Sequence, residues 1–157
     1  MNNLSIYCAD VGSIKAKNFG WACSHPTGEL ESGTDISEFA EKISSNILLD
    51  SSKVAIGFEC PLFVPMRDDE LSVNSSRAGE GNRPWSAGAG TGALATGLVE
   101  VLWVMRRVHL LVGYAPRAEL SWESFRKSDS VFLWEAFVSS SSKGSSHEDD
   151  AEIAVRK

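Results

Sequence analysis

Val54-Ala55-Ile56-Gly57-Phe58 is an unbroken apolar run between the polar Ser51-Ser52-Lys53 and Glu59. Five apolar residues, β-branched and aromatic among them, with no alternation read as a central strand covered on both faces. A strand of that kind needs a layer on each side, which makes the chain an α/β protein. The run also ends in an acid. Other apolar stretches do the same: Leu4-Ser5-Ile6-Tyr7-Cys8-Ala9 alternates and ends in Asp10, and Val131-Phe132-Leu133-Trp134 ends in Glu135. Acids at the ends of buried strands are costly unless they are paired or hold cations.

The surrounding pattern predicts how these strands are joined. Phe19–Ser24 and Gly28–Ser32, with the Pro26-Thr27-Gly28 turn between them, lie close enough to Leu4–Asp10 to make an antiparallel meander. Asp35 and Glu38 have capping-box spacing, and Ile36, Phe39, Ala40, Ile43, Ile47 and Leu48 repeat at helical spacing behind them. From Cys60 to Gly92 the chain is rich in Pro, Gly and Ser and carries Arg67, Arg77, Arg83 and Trp85. Such a loop-rich stretch reads as a flap, its arginines suited to phosphate oxygens and Trp85 to stacking on a ligand. Gly88-Ala89-Gly90-Thr91-Gly92 lacks the lysine of a Walker-A loop and follows no recognisable strand, so a flexible helix entry is the plainer reading.

Ala93–Leu111 predicts the longest helix, with Leu94, Leu98, Val101, Leu102, Met105 and Val108 buried and Glu100, Arg106 and Arg107 exposed. The three charges argue against a membrane span and for a buried helix of a soluble protein. Arg117–Ser121 is a weaker strand candidate than Val131–Ala136. After a Ser-rich stretch, Ser145 or Ser146 can cap a last helix opening on His147-Glu148-Asp149-Asp150-Ala151.

Charge and cysteines narrow the function. The net charge of −6 excludes a protein that coats nucleic acid by its overall field. The acids concentrate between Gly28 and Glu59, however, leaving the Arg67–Lys127 stretch able to meet a polyanion locally. Three cysteines without CxxC spacing indicate neither a disulfide framework nor a zinc site, and no basic-then-apolar leader is visible. A cytoplasmic protein is expected, all 157 residues forming one domain.

The order of three strands, helix and strand, with Asp10 on the first strand and Glu59 ending the fourth, resembles the ribonuclease H-like fold. His147-x-x-Asp150-Ala151 at the start of a late helix is similar to the RuvC branch. Asp10-Val11-Gly12 with Gly20-Trp21, Phe58-Glu59-Cys60-Pro61-Leu62 and Leu133-Trp134-Glu135-Ala136 resemble an uncharacterised family of RuvC-like predicted nucleases. The resemblance implies a ribonuclease H-like mixed five-stranded sheet, its first three strands antiparallel, with helices on both faces, and a chain expected to continue past Lys157.

It also implies a divalent-metal-dependent nuclease. Asp10, Glu59 and Asp150 would hold Mg²⁺ or Mn²⁺, with Asp149 and Glu135 as further ligands or supports and His147 handling a proton. Two-metal hydrolysis needs several carboxylates around ions about 4 Å apart. Nucleic acid would be the partner, with no membrane involved. Two rivals remain. One is a nucleotide phosphotransferase of the sugar-kinase and actin-like type, which shares Asp10-x-Gly12 but normally needs two such domains. The other is a catalytically silent binding or assembly module.

Overall fold

The computed structural model describes residues 3–49, 53–80, 84–138 and 143–156. In chain order these form β1 (Leu4–Asp10), β2 (Gly20–Ser24), β3 (Leu30–Gly33), α1 (Ile36–Ile47), β4 (Lys53–Phe58), α2 (Gly88–Val112), β5 (Ala118–Glu119), α3 (Trp122–Lys127), β6 (Val131–Glu135) and α4 (His147–Val155). The strands make one mixed sheet in the order β3-β2-β1-β4-β6-β5. β1, β2 and β3 pair antiparallel, while β1–β4, β4–β6 and β6–β5 pair parallel. The sheet therefore has six strands rather than the expected five. The sixth is the two-residue β5, which lies inside the Arg117–Ser121 stretch that patterning marks as the weaker strand candidate.

The period of two along β1 sorts its side chains between two cores. Tyr7 and Ala9 join Trp21, Phe39, Ile56, Phe58, Val104 and Val108 on the side of α1 and α2. Ile6 and Cys8 join Ala22, Ala136, Ala151 and Ala154 on the side of α4. The unbroken apolar β4 fills the middle of this arrangement, as its composition requires. Phe39 of α1 lies about 6 Å, centroid to centroid, from the rings of Tyr7 (6.0 Å), Phe19 (6.0 Å), Trp21 (6.0 Å) and Phe58 (6.1 Å), tying the helix to three strands and the loop before β2. Asp35 caps α1 by accepting from the Ser37 and Glu38 amides. Cys8, Cys23 and Cys60 are buried and unbridged.

The long helix differs from its sequence expectation in both start and phase. α2 begins at Gly88, so Gly88–Gly92 is its first turn and not a loop before it. Its buried residues are Gly97, Glu100, Val101, Val104, Val108 and Val112. Leu98, Val99, Leu102, Trp103, Leu110 and Leu111 are exposed, Met105 is half-buried, and Glu100 is only 6% exposed. The helix is apolar nearly all round, so hydrophobic period alone cannot select a face. Close packing does: glycine and valines let α2 approach α1 and the sheet, where leucines and a tryptophan would hold it off. A Cβ on Gly97 would lie 2.4 Å from both Cβ and Sγ of Cys60. By length and composition α2 could also cross a membrane, although one of its faces is packed into this fold.

Candidate metal centre

β1 and β4 are parallel neighbours, with Ala9 paired to Phe58, so their C-terminal ends come out side by side. Asp10 follows Ile6 and Cys8 on the α4 face of β1. Glu59, one residue past Phe58, turns to the same face, and its amide extends the ladder to the Ala9 carbonyl at 2.8 Å. α4 crosses β1 and β2 on that side and adds Asp150 from its first turn. The result is one cluster: Asp10, Glu59 and Asp150 each offer a carboxylate oxygen within 4.8 Å of the others.

Gly20 makes this convergence sterically feasible. It pairs with Asp10 across the β1–β2 ladder, and a Cβ there would lie 2.3 Å from the His147 carbonyl carbon and the Glu148 nitrogen. Those are backbone atoms at the start of α4 and cannot swing away. Gly20→Ala is accordingly expected to displace the first turn of α4, and Asp150 with it. Titration calorimetry should show Mn²⁺ affinity falling by about 10–100-fold, the range for losing a group that positions a ligand. An unchanged affinity would mean that α4 is not held there by this contact.

The cluster is buried and carries its own counter-charges. Asp10 is 5% exposed and Asp150 6%. His147 pairs through Nδ1 with Asp10 Oδ2. Lys143 Nζ lies 2.9 Å from Asp150 Oδ2 and 3.2 Å from Glu59 Oε1, and the Gly144 amide donates to Asp150 Oδ1 at 2.7 Å. Glu59 Oε2 is buried and has no hydrogen-bond partner among the described residues. Burial, and then the Asp10 charge, push the Glu59 carboxyl up to about 7 against the opposing pull of Lys143. Burial also raises Asp10, against the opposing charge and hydrogen bond of His147.

A fourth acid stands behind the cluster. Glu100 of α2 accepts from the Gly12 amide at 3.4 Å, and burial raises it to about 7, the Gly12 hydrogen bond opposing and the Asp10 charge adding.

The remaining candidate residues are placed elsewhere. Glu135 is paired with Phe58, not with Glu59, so its side chain points to the α1–α2 face, away from Asp10. There it accepts from the Leu62 amide at 2.8 Å and from Arg77 Nη1 at 2.7 Å. Asp149 accepts from the Ser145 amide at 3.0 Å and from the Ser145 hydroxyl, hydrogen bonds that lower its pKa, and it does not join the cluster.

Arg77 is committed to Glu80 at 2.7 Å as well as to Glu135, and stacks over Phe63. Arg67 donates to the Ser76 carbonyl at 3.2 Å and Trp85 to the Ser75 carbonyl at 3.2 Å. These contacts brace the Pro- and Gly-rich segment from within. Arg83 lies outside the described residues.

No family model, curated protein or solved structure matches the chain. The site must be read from its own chemistry. Sequence reasoning missed Lys143, Glu100 and the steric role of Gly20. Lys143 had a signal, as the one lysine in the Ser-rich stretch that leads into His147-Glu148-Asp149-Asp150. Glu100 had one too, as the sole acid inside a long apolar run.

Proposed function

We propose that this chain is a divalent-metal-dependent nuclease of the ribonuclease H-like, RuvC-like type, hydrolysing phosphodiester bonds in nucleic acid. The observation that carries the reading is the convergence of Asp10, Glu59 and Asp150 from two parallel strand ends and a helix start. The donor set fits the ion: three carboxylates supply hard oxygen ligands of the kind Mg²⁺ and Mn²⁺ prefer. The buried Glu59 Oε2, without a partner among the described residues, is an oxygen that a cation would satisfy. Bound there, the cation would activate a water and offset charge on the leaving oxygen.

The chain's own residues do the rest. Asp10, Glu59 and Asp150 hold the charge in place, and the Gly144 amide fixes the rotamer of Asp150. His147, whose side chain is 43% exposed, is held on Asp10 through Nδ1 and presents its other ring nitrogen for proton transfer. The net charge of −6 gives no long-range attraction to a polyanion, so substrate must be recognised by local contacts.

A second reading, a catalytically silent binding or assembly module, is favoured by one feature: the apolar outward face of α2. Mn²⁺ separates the two. A nuclease site filled at a hundredfold excess over Kd should stabilise the protein by about 2.7 kcal/mol, a rise of several degrees in Tm. Cleavage of labelled DNA or RNA should require the ion and stop with chelator. No thermal shift at millimolar Mn²⁺ and no cleavage would leave the module reading.

A further inference from the structure

We propose that Lys143 is an internal cation of the carboxylate site, which a divalent ion must displace from Glu59 and Asp150 in order to bind; this rests on the metal-site reading above. Three carboxylates crowded in a buried cluster repel one another unless positive charge lies among them. Lys143 supplies that charge from the segment leading into α4. Its ammonium meets Glu59 Oε1 at 3.2 Å and Asp150 Oδ2 at 2.9 Å, and so stands between two of the carboxylates that would hold the ion. His147 meets Asp10 through Nδ1. Every member of the triad is thus already paired with a base from the stretch that opens α4.

The lysine is also built to leave. Its side chain is 36% exposed where Asp150 is 8%, and a flexible four-carbon stem lets the ammonium swing to solvent without moving the backbone. The carboxylates, fixed by strand and helix, stay behind. A doubly charged ion attracts the cluster more strongly than a single ammonium at similar distance. Displacement therefore releases one mobile positive charge beside the site as the ion enters.

The test compares Mn²⁺ binding by calorimetry in the wild type, Lys143→Gln and Lys143→Met. Removal of the competitor should tighten Mn²⁺ binding by at least about tenfold, while the metal-free variants melt lower because the repulsion is no longer offset. A second measurement needs no variant. Amine acylation of the wild type, read by mass spectrometry, should rise several-fold at Lys143 on Mn²⁺ saturation and stay level at the exposed Lys15.

Equal affinities with unchanged acylation would overturn the role of Lys143 and leave the metal site standing. Absence of Mn²⁺ binding in all three proteins would overturn the metal reading and this proposal together. Binding by the variants alone would support the role of Lys143 and remove the nuclease reading.

Discussion

Asp10→Asn is expected to abolish metal-dependent cleavage and most of the Mn²⁺-induced rise in melting temperature. Asp10 is the strand-end ligand set in the sheet itself, and losing it should cost more than the roughly 10–100-fold typical of a group that only supports a ligand. The metal-free variant should melt close to the wild type. Asn keeps an oxygen to accept from His147, and the exchange removes one of the charges repelling Glu59. Calorimetry of both proteins with and without Mn²⁺ reads all of this in one series. If Asp10 were purely structural the pattern would invert: no metal effect in the wild type, and a marked loss of stability in the variant.

The second large effect is with pH. Glu59 and Glu100 are both raised from 4.5 to about 7 in the folded protein, and Asp10 is raised as well. A carboxyl whose folded pKa lies above its unfolded value binds more protons when folded, so stability falls as pH rises between the two values. The metal-free protein should therefore be more stable at pH 5 than at pH 8, with Glu100 accounting for on the order of 3 kcal/mol and the coupled Glu59 and Asp10 acting in the same direction.

The groups facing Glu59 are Asp10, Asp150 and Lys143, and those facing Glu100 are the Gly12 amide, Asp10 and the Cys60 thiol. Lys143 is itself raised above its ordinary value: burial opposes the rise, but Asp150 and Glu59 outweigh it. It therefore titrates well above this window. Glu31, Glu80 and Asp149 have lowered pKa values and lose their contributions only in more acidic solution.

Saturating Mn²⁺ should flatten the part of the slope owed to Glu59 and Asp10, leaving the part from Glu100, which Glu100→Gln removes. Melting temperatures at pH 5, 6, 7 and 8, with and without Mn²⁺, check the sign. A metal-free protein that gained stability from pH 5 to pH 8 would contradict it.

What could be read from the sequence was local. The capped amphipathic α1, the doubly covered β4, the antiparallel start of the sheet and the acids at strand ends all follow from periods of 2 and 3.6 and from turn and cap residues. Those signals lie within a few residues of one another, and the physics that produces them is equally short-ranged.

The tertiary structure decided the rest. Whether a strand-end acid enters the cluster depends on register, because one residue reverses the face. Glu59 stands one place beyond Phe58 and joins Asp10, while Glu135 is aligned with Phe58 and turns to Arg77. The phase of α2 could not be read from a helix apolar on every side; close approach to Cys60 and α1 chose the glycine and valine face, and buried Glu100 with it. Lys143 reaches the triad only because α4 lands on β1 and β2 where Gly20 leaves room for its first turn. Each of these depends on residues distant in the chain meeting in space, and pattern along the chain holds no record of which will meet.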